Sequence, residues 1–437
     1  MKLNRLILAL ASTGLVSVAA HAQSTEQLQQ ALAQAQAAAA QAQAAAKQAQ
    51  AALDQLLAVQ AKQATPAMAD KAASSGTGLT ITNGVNSATL YGLIDVTYVN
   101  VNNANAAKQS VTTPRVSWFS GNRWGITGQR KLGGSDDMKA IFRLESEFES
   151  QSGNEDTAGV LFNRDAWLGL ESKSLGKITV GRQNALGRDP AASGVYGDPY
   201  GGPKASVDEG GYTNNNNFKQ LVYYAGSAGG TRMNNGVVWK KNFGDVVTGL
   251  AYQFGGVPGS FSTGSTKSGS VAYNGSGYTV AGFVTSANIA NLTHTSFSIG
   301  GNVEVMPMVR LYGGYFNYKA QQVASLGNRS DSAYTISTKI APSSEYDFEI
   351  GYQSMRASNA GLKGAYVQNA FSDTSAITAV STGNRNTFYV SAFYHLDAAT
   401  EFYVAADKLS TTGNYLATQA NGAKSQNEVG LGMRFKF

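Results

Sequence analysis

The chain ends on a stretch in which Val429, Leu431, Met433, Phe435 and Phe437 alternate with Gly430, Gly432, Arg434 and Lys436. A period of two belongs to the β-strand, whose successive side chains point to opposite faces. One face here is large and apolar, the other small or cationic. In water, such a strand with nothing over its apolar face aggregates. It needs an apolar medium on one side and tolerates water on the other. The pattern recurs upstream. Over residues 88–101, Leu90, Gly92, Ile94, Val96 and Tyr98 share one face, while Thr89, Tyr91, Asp95 and Thr97 share the other. Over 137–149, Met138, Ala140, Phe142, Leu144 and Phe148 oppose Lys139, Arg143, Glu145, Glu147 and Glu149.

Averages conceal this alternation. Mean hydropathy is −0.20 and charged residues are 14% of 437, against roughly 25% in an ordinary soluble domain. Beyond the N-terminus no run approaches the roughly 18–20 apolar residues of a membrane-spanning helix. The absence of Cys excludes a disulfide scaffold, a thiol enzyme and cysteine zinc sites. A chain of alternating strands with 49 Gly and 21 Tyr fits a membrane β-barrel.

Turn chemistry sets the strand count. Short turns are expected at Gly133-Gly134-Ser135, Leu175-Gly176, Asn242-Phe243-Gly244, Asn274-Gly275-Ser276-Gly277, Met306-Pro307, Pro342-Ser343-Ser344 and Asp397-Ala398. Longer Asn/Ser/Gly-rich segments, such as 102–114, 258–267 and 358–383, lie between the strand pairs. Seven short turns and eight long loops predict an all-β, 16-stranded antiparallel transmembrane barrel over 88–437, with both ends on the short-turn side. Fourteen and eighteen are the neighbouring counts. Closure removes the sheet edges.

The N-terminal region has two parts. Residues 1–22 read as a signal peptide, with Lys2 and Arg5 before an apolar stretch and Ala20-His21-Ala22 at the cut. Its removal takes two of the 34 basic residues and leaves a small positive excess over 28 acids. That excess does not suggest nucleic acid. Residues 23–62 are rich in Ala and Gln; 16 of the 39 residues in 24–62 are Ala and 11 are Gln. A heptad seam runs through Leu28, Leu32, Leu53 and Leu56, with Ala between, and predicts an α-helical coiled coil about 57 Å long. A single spacer helix is the alternative. Residues 63–87 are expected to be a linker.

Several segments resemble the general trimeric porins of Gram-negative outer membranes, especially the betaproteobacterial type. They are Ala88-Thr-Leu-Tyr-Gly-Leu-Ile-Asp95, Asn122-Arg-Trp-Gly-Ile-Thr-Gly128, Leu132-Gly-Gly, Lys139-Ala-Ile-Phe-Arg-Leu-Glu145, Asn163-Arg-Asp-Ala-Trp-Leu-Gly-Leu170, Val180-Gly-Arg-Gln183, Arg232-Met-Asn-Asn-Gly-Val237 and the terminal Phe437. The resemblance implies an outer-membrane homotrimer of barrels, each with an aqueous pore for small hydrophilic solutes and ions. It implies an assembly signal at Phe437 and a third loop folded into the barrel. The Ala/Gln segment departs from the ordinary pattern. It is similar to the periplasmic coiled coil of some channels that favour organic anions such as dicarboxylates. A cell-wall tether is a further reading of it.

By the same resemblance, three wall arginines at Arg123, Arg182 and Arg232 face acids of the inward loop. Lys139, Arg143 and Arg164 would add to the basic side, and Glu145 and Glu147 would line the pore. Arg182 shares the parity of Ile178 and Val180, which a bulge would resolve. The loop should lie within 184–230, its tip near Gly197-Asp-Pro-Tyr-Gly-Gly202, with Asp189, Asp198, Asp208 and Glu209 as candidate acids. Basic groups in excess predict a mild anion preference. The alternative is that the arginines pair with Glu145, Glu147 and the loop acids and only brace the wall. No cofactor, metal or catalytic motif is expected; His294 and His395 stand far apart in sequence.

Overall fold

The computed structural model describes Ala40 and residues 78–437, apart from 117, 134–136, 189–226, 229, 365 and 417–420. The signal segment, the seam residues Leu28, Leu32, Leu53 and Leu56, and the acids Asp189, Asp198, Asp208 and Glu209 lie outside the described residues.

Sixteen antiparallel strands close into a barrel. β1 spans Asn86–Val101 and β2 runs as Val111–Val116 and then Arg123–Lys131. β3 is Met138–Glu147, β4 Asp165–Ser172, β5 Gly176–Asn184, β6 Arg232–Phe243, β7 Val246–Gln253 and β8 Thr266–Gly275. β9 is Tyr278–Ile289, β10 Leu292–Met306, β11 Val309–Ala320, β12 Arg329–Ser343, β13 Tyr346–Lys363, β14 Val380–His395, β15 Thr400–Thr411 and β16 Ser425–Lys436. Each pairs with its sequence neighbours, and β16 returns to β1 with Lys436 opposite Leu93 and Glu428 opposite Val101. A short leading strand, Leu79–Thr82, pairs with the start of β1, so strand structure begins inside the expected linker.

The seven short turns fall where the turn residues put them. Asp397, between β14 and β15, shows the chemistry: its carboxylate accepts from the backbone N–H of Ala399 and of Thr400 at 2.7 Å, which holds its carboxyl below the usual range. At the other rim one of the eight expected long loops is absent. β9 and β10 are joined by Ala290 and Asn291 alone, at φ 51° and 66°. Two left-handed residues make the tight hairpin turn that matches strand twist.

The two faces separate as the alternation requires. Leu168, Val284, Leu250, Ile336 and Leu431 stand outward and exposed in the isolated chain, forming the lipid belt. The closing strand is fitted by its last residue. Phe437 exchanges backbone hydrogen bonds with Gly92 at 2.8 and 3.1 Å. A Cβ on Gly92 would lie 2.1 Å from the Phe437 ring, so this position on β1 has room only for hydrogen.

The interior is partly filled from the wall. Where β2 breaks, residues 118–122 turn inward. The backbone N–H groups of Phe119 and Ser120 donate to Asp95 Oδ2 at 3.2 and 3.0 Å, and Arg434 Nη1 donates to Ser120 Oγ at 3.0 Å. Phe119 packs on Phe393 and Tyr403, with centroids 4.8 and 4.7 Å away. A few strands further along, the β13–β14 loop folds onto the inner wall. Phe371 stacks on Tyr318 at 5.0 Å, and Arg329 Nη1 donates to Gln368 O at 2.8 Å.

Candidate functional site

Alternation on β3 turns Arg143, Glu145 and Glu147 to the lumen, and the motif Asn163-Arg164-Asp165 leads into β4 beside them. The result is one charged cluster. Arg164 Nε donates to Glu145 Oε1 at 2.5 Å, and its Nη1 donates to Glu147 Oε2. Arg143 Nη2 donates to Glu145 Oε2 at 2.5 Å, and its Nε lies 3.5 Å from Asp165 Oδ2. Arg123 Nε donates to Gly121 O at 2.9 Å, and its charge bears on both Glu145 and Glu147. Gly121 itself is required: a Cβ there would sit 1.9 Å from Glu147 Oε1.

Arg232, at the start of β6, donates through Nε to Arg164 O at 2.9 Å. The charges of Arg188, Arg164, Asp165 and Glu147 all act on it. Six guanidinium groups (Arg123, Arg143, Arg164, Arg182, Arg188 and Arg232) therefore gather around the three carboxylates Glu145, Glu147 and Asp165. Exposure divides them. The Arg143 side chain is 38% exposed to the lumen, whereas that of Arg164 is 8% exposed.

The structure places the expected site residues unequally. Arg123, Arg143, Arg164, Arg232, Glu145 and Glu147 come together. Arg182 lies at their edge. Its register to β4 is regular, opposite Ala166, while the ladder to β6 slips between Gly181 and Gln183. Gly181 adopts φ 133°, and the slip leaves Asn234 and Asn235 on β6 without regular partners. Arg182 Nε then reaches Asn163 O at 2.7 Å and its Nη1 bonds Asn234 Oδ1. The bulge thus exists, on the neighbouring strand.

Lys139 is elsewhere. It stands six residues before Glu145 on β3, about 20 Å along the strand. There it joins a row at the short-turn end, with Lys131, Lys139, Glu171, Lys177 and Lys240 in consecutive register. Strand periodicity carries Lys139 to the same face as Arg143 but not to the same height.

Four participants were not anticipated, Asp165 of the carboxylate cluster among them. Tyr91 donates to Glu145 Oε2 at 2.6 Å and accepts from Arg143 Nε at 2.6 Å. Asn163 Oδ1 accepts from the Glu147 backbone N–H at 2.8 Å. Arg188 enters with the loop. The lumen face of β1 already marked Tyr91, and Asn163 and Asp165 flank Arg164 in a quoted motif; for Arg188 no sequence signal exists.

Both described legs of the β5–β6 connection run along the inner wall. Ala185 and Leu186 are fully buried with Met233 and Val238. A Cβ on Gly187 would lie 3.0 Å from the Phe283 ring of β9. On the return, the Ala228 backbone N–H donates to Thr266 Oγ1 of β8 at 2.9 Å. The two histidines stay apart. His294 Nδ1 lies 2.8 Å from Tyr318 OH, and His395 bridges Asp347 and Glu401 at 2.7 and 3.2 Å. Among the described residues no cluster suits a metal ion.

Comparison with known proteins gives a consistent picture. A model of the Gram-negative porin family matches residues 9–414. An outer membrane porin protein of Bordetella pertussis is 37% identical over 129 residues, which are 26% of this chain; the match spans 32% of that protein's length. The fold is similar to an anion-selective porin from Comamonas acidovorans, with TM-score 0.58 and 21% identity over 80% of this chain and 100% of that one. It is also similar to OmpT of Vibrio cholerae in its trimer form, with TM-score 0.55 and 12% identity over 81% of this chain and 100% of that one. The outer membrane channel DcaP of Acinetobacter baumannii gives TM-score 0.51 and 11% identity over 82% and 99%. At these identities the likeness to solved structures is one of fold.

Proposed function

Because this chain belongs to the Gram-negative porin family and forms an outer-membrane β-barrel, we propose that it is a water-filled channel for passive diffusion of small hydrophilic solutes with a mild preference for anions. The observation that carries this reading is the excess, among the described residues, of guanidinium over carboxylate on the lumen wall beside the root of the inward-running loop. A narrow pore with low-dielectric walls focuses the field of fixed charges and concentrates counter-ions. Arg143 is open to passing ions, its side chain 38% exposed; Arg164 chiefly neutralises Glu145 and Glu147. The anion selectivity of the Comamonas acidovorans neighbour supports the sign.

The assembly we propose is a homotrimer, in keeping with the trimer form of the Vibrio cholerae neighbour. Residues 23–62 would act as a periplasmic coiled coil beneath it. The test is the reversal potential of single channels across a KCl gradient. An anion-selective potential is expected, and joint replacement of Arg123, Arg182 and Arg232 by Gln should move it toward cations. A cation-selective wild-type channel overturns the proposal.

A further inference from the structure

Tyr91 carries no charge, yet its hydroxyl stands between a carboxylate and a guanidinium of the lumen wall. It donates to Glu145 Oε2 at 2.6 Å and accepts from Arg143 Nε at 2.6 Å. The contact skips a strand. Tyr91 of β1 lies opposite Gly125 of β2, and Gly125 lies opposite Glu145 of β3. Two strand spacings, about 9.6 Å, therefore separate the Tyr91 and Glu145 backbones. The phenol spans them because the position between is glycine. A Cβ on Gly125 would lie 2.6 Å from Tyr91 Oη and 2.7 Å from Leu144 O. Gly125 does not adopt a positive φ, so space and not backbone conformation keeps this position small.

Arg143 stands two residues before Glu145 on β3, on the same face, and reaches back to it. A guanidinium carries five N–H donors in a fixed fork. Nε is taken by the Tyr91 hydroxyl and Nη2 by Glu145 Oε2. Nη1 has no hydrogen-bond partner among the described residues, and the side chain is open to the lumen. The Tyr91 ring adds support, with Arg143 Cζ 5.1 Å from its centroid. The occupied edge of the fork thus faces the wall and the remaining edge faces water. Without the hydroxyl, the next acceptor for Nε is Asp165 Oδ2, 3.5 Å away. A carboxylate takes an arginine edge through two parallel hydrogen bonds. The guanidinium would then close on Asp165 and turn from the lumen.

We propose that Tyr91 is a positioning residue for anion passage: with Gly125 clearing its path, its hydroxyl holds the unused edge of Arg143 toward the pore as a fixed donor for chloride and carboxylate-bearing solutes. A donor already held in place binds more strongly than a mobile one, because its ordering cost is met by the fold. This role rests on the anion-preferring channel proposed above and adds a determinant that a count of charges does not contain.

The test compares full-length channels in planar bilayers across a KCl gradient. Tyr91→Phe removes one oxygen and no charge, so fixed charge alone leaves the reversal potential where it is. The expected result is a shift toward cations, in the direction of Arg143→Gln and smaller than it. In the double variant Y91F/R143Q the potential should equal that of R143Q alone, because the hydroxyl acts through the guanidinium. A wild-type potential in Tyr91→Phe overturns the proposal. A further shift in the double variant also overturns it, and places the effect on Glu145. The urea midpoint, read in parallel, separates positioning from bracing: a lowered midpoint with an unmoved potential makes Tyr91 a structural residue only and overturns the proposal. The sign of the wild-type potential tests the channel's preference, and the differences among variants test Tyr91, so the two fail separately.

Discussion

Arg143 and Arg164 hold the same carboxylate, Glu145, with opposite consequences. Arg164 is nearly buried and spans Glu145 and Glu147, so removing its charge leaves two carboxylates without their chief partner. Breaking a buried pair from one side costs about 3–5 kcal/mol. Arg164→Gln should therefore lower the urea midpoint of the vesicle-inserted barrel clearly. Arg143, 38% exposed, is screened by lumen water. Arg143→Gln should leave the urea midpoint nearly unchanged and shift the reversal potential toward cations. Equal effects of the two variants on both measurements would contradict this division of roles. The sequence distinguished neither role, because parity assigns a face and not a depth. Parity also left Arg182 with the lipid-facing Ile178 and Val180; the register slip and the φ of Gly181 that redirect it are backbone features without a residue signature. Lys139 shows the converse limit. Its face was legible from the alternation, and its height, set by the register between β2, β3 and β4, was not.

At the scale of elements, the short turns were legible because Gly, Pro, Asn and Asp impose their own backbone geometry. The β9–β10 hairpin escaped because its first turn residue is Ala290, which carries no such preference. The inward segment 118–122 escaped for another reason. Nothing in the identities of Trp118 and Phe119 marks them as lumen-filling, and the break between Val116 and Arg123 sends them inside. The β13–β14 loop is held inward by Phe371 on Tyr318 and His294, by Arg329 on Gln368, and by Thr374 Oγ1 donating to Gln321 O. Phe371→Ala removes the stacked ring, and truncating a buried Phe costs about 3–5 kcal/mol of local packing. The loop should then leave the mouth. Single-channel conductance should rise, with the reversal potential unchanged because the guanidinium cluster lies elsewhere on the wall. Unchanged conductance would mean that the loop does not obstruct the ion path.

For the whole molecule, two expectations separate what the barrel does from what precedes it. A selectivity built from fixed charge must fade with salt, since the Debye length falls from about 10 Å at 0.1 M to about 3 Å at 1 M. The anion preference should shrink across that range, and a selectivity indifferent to salt would point to a specific binding site instead. The barrel was legible as a whole because lipid outside and water inside impose one rule on every strand. The Ala/Gln segment obeys no such rule: an Ala-rich stretch satisfies a heptad whether or not a partner is present. Its role is best tested by deletion of residues 27–60, read in two ways on the same preparation. All sixteen barrel strands lie beyond this segment, so unit conductance of the deleted chain should equal wild type. A coiled coil whose seam is mostly Ala would bury little apolar area per helix, and would associate only at the high local concentration an oligomer provides. Deletion should accordingly weaken trimers, seen as a lower dissociation temperature in semi-denaturing gels. Full trimer stability combined with loss of attachment to peptidoglycan would make the segment a cell-wall tether instead.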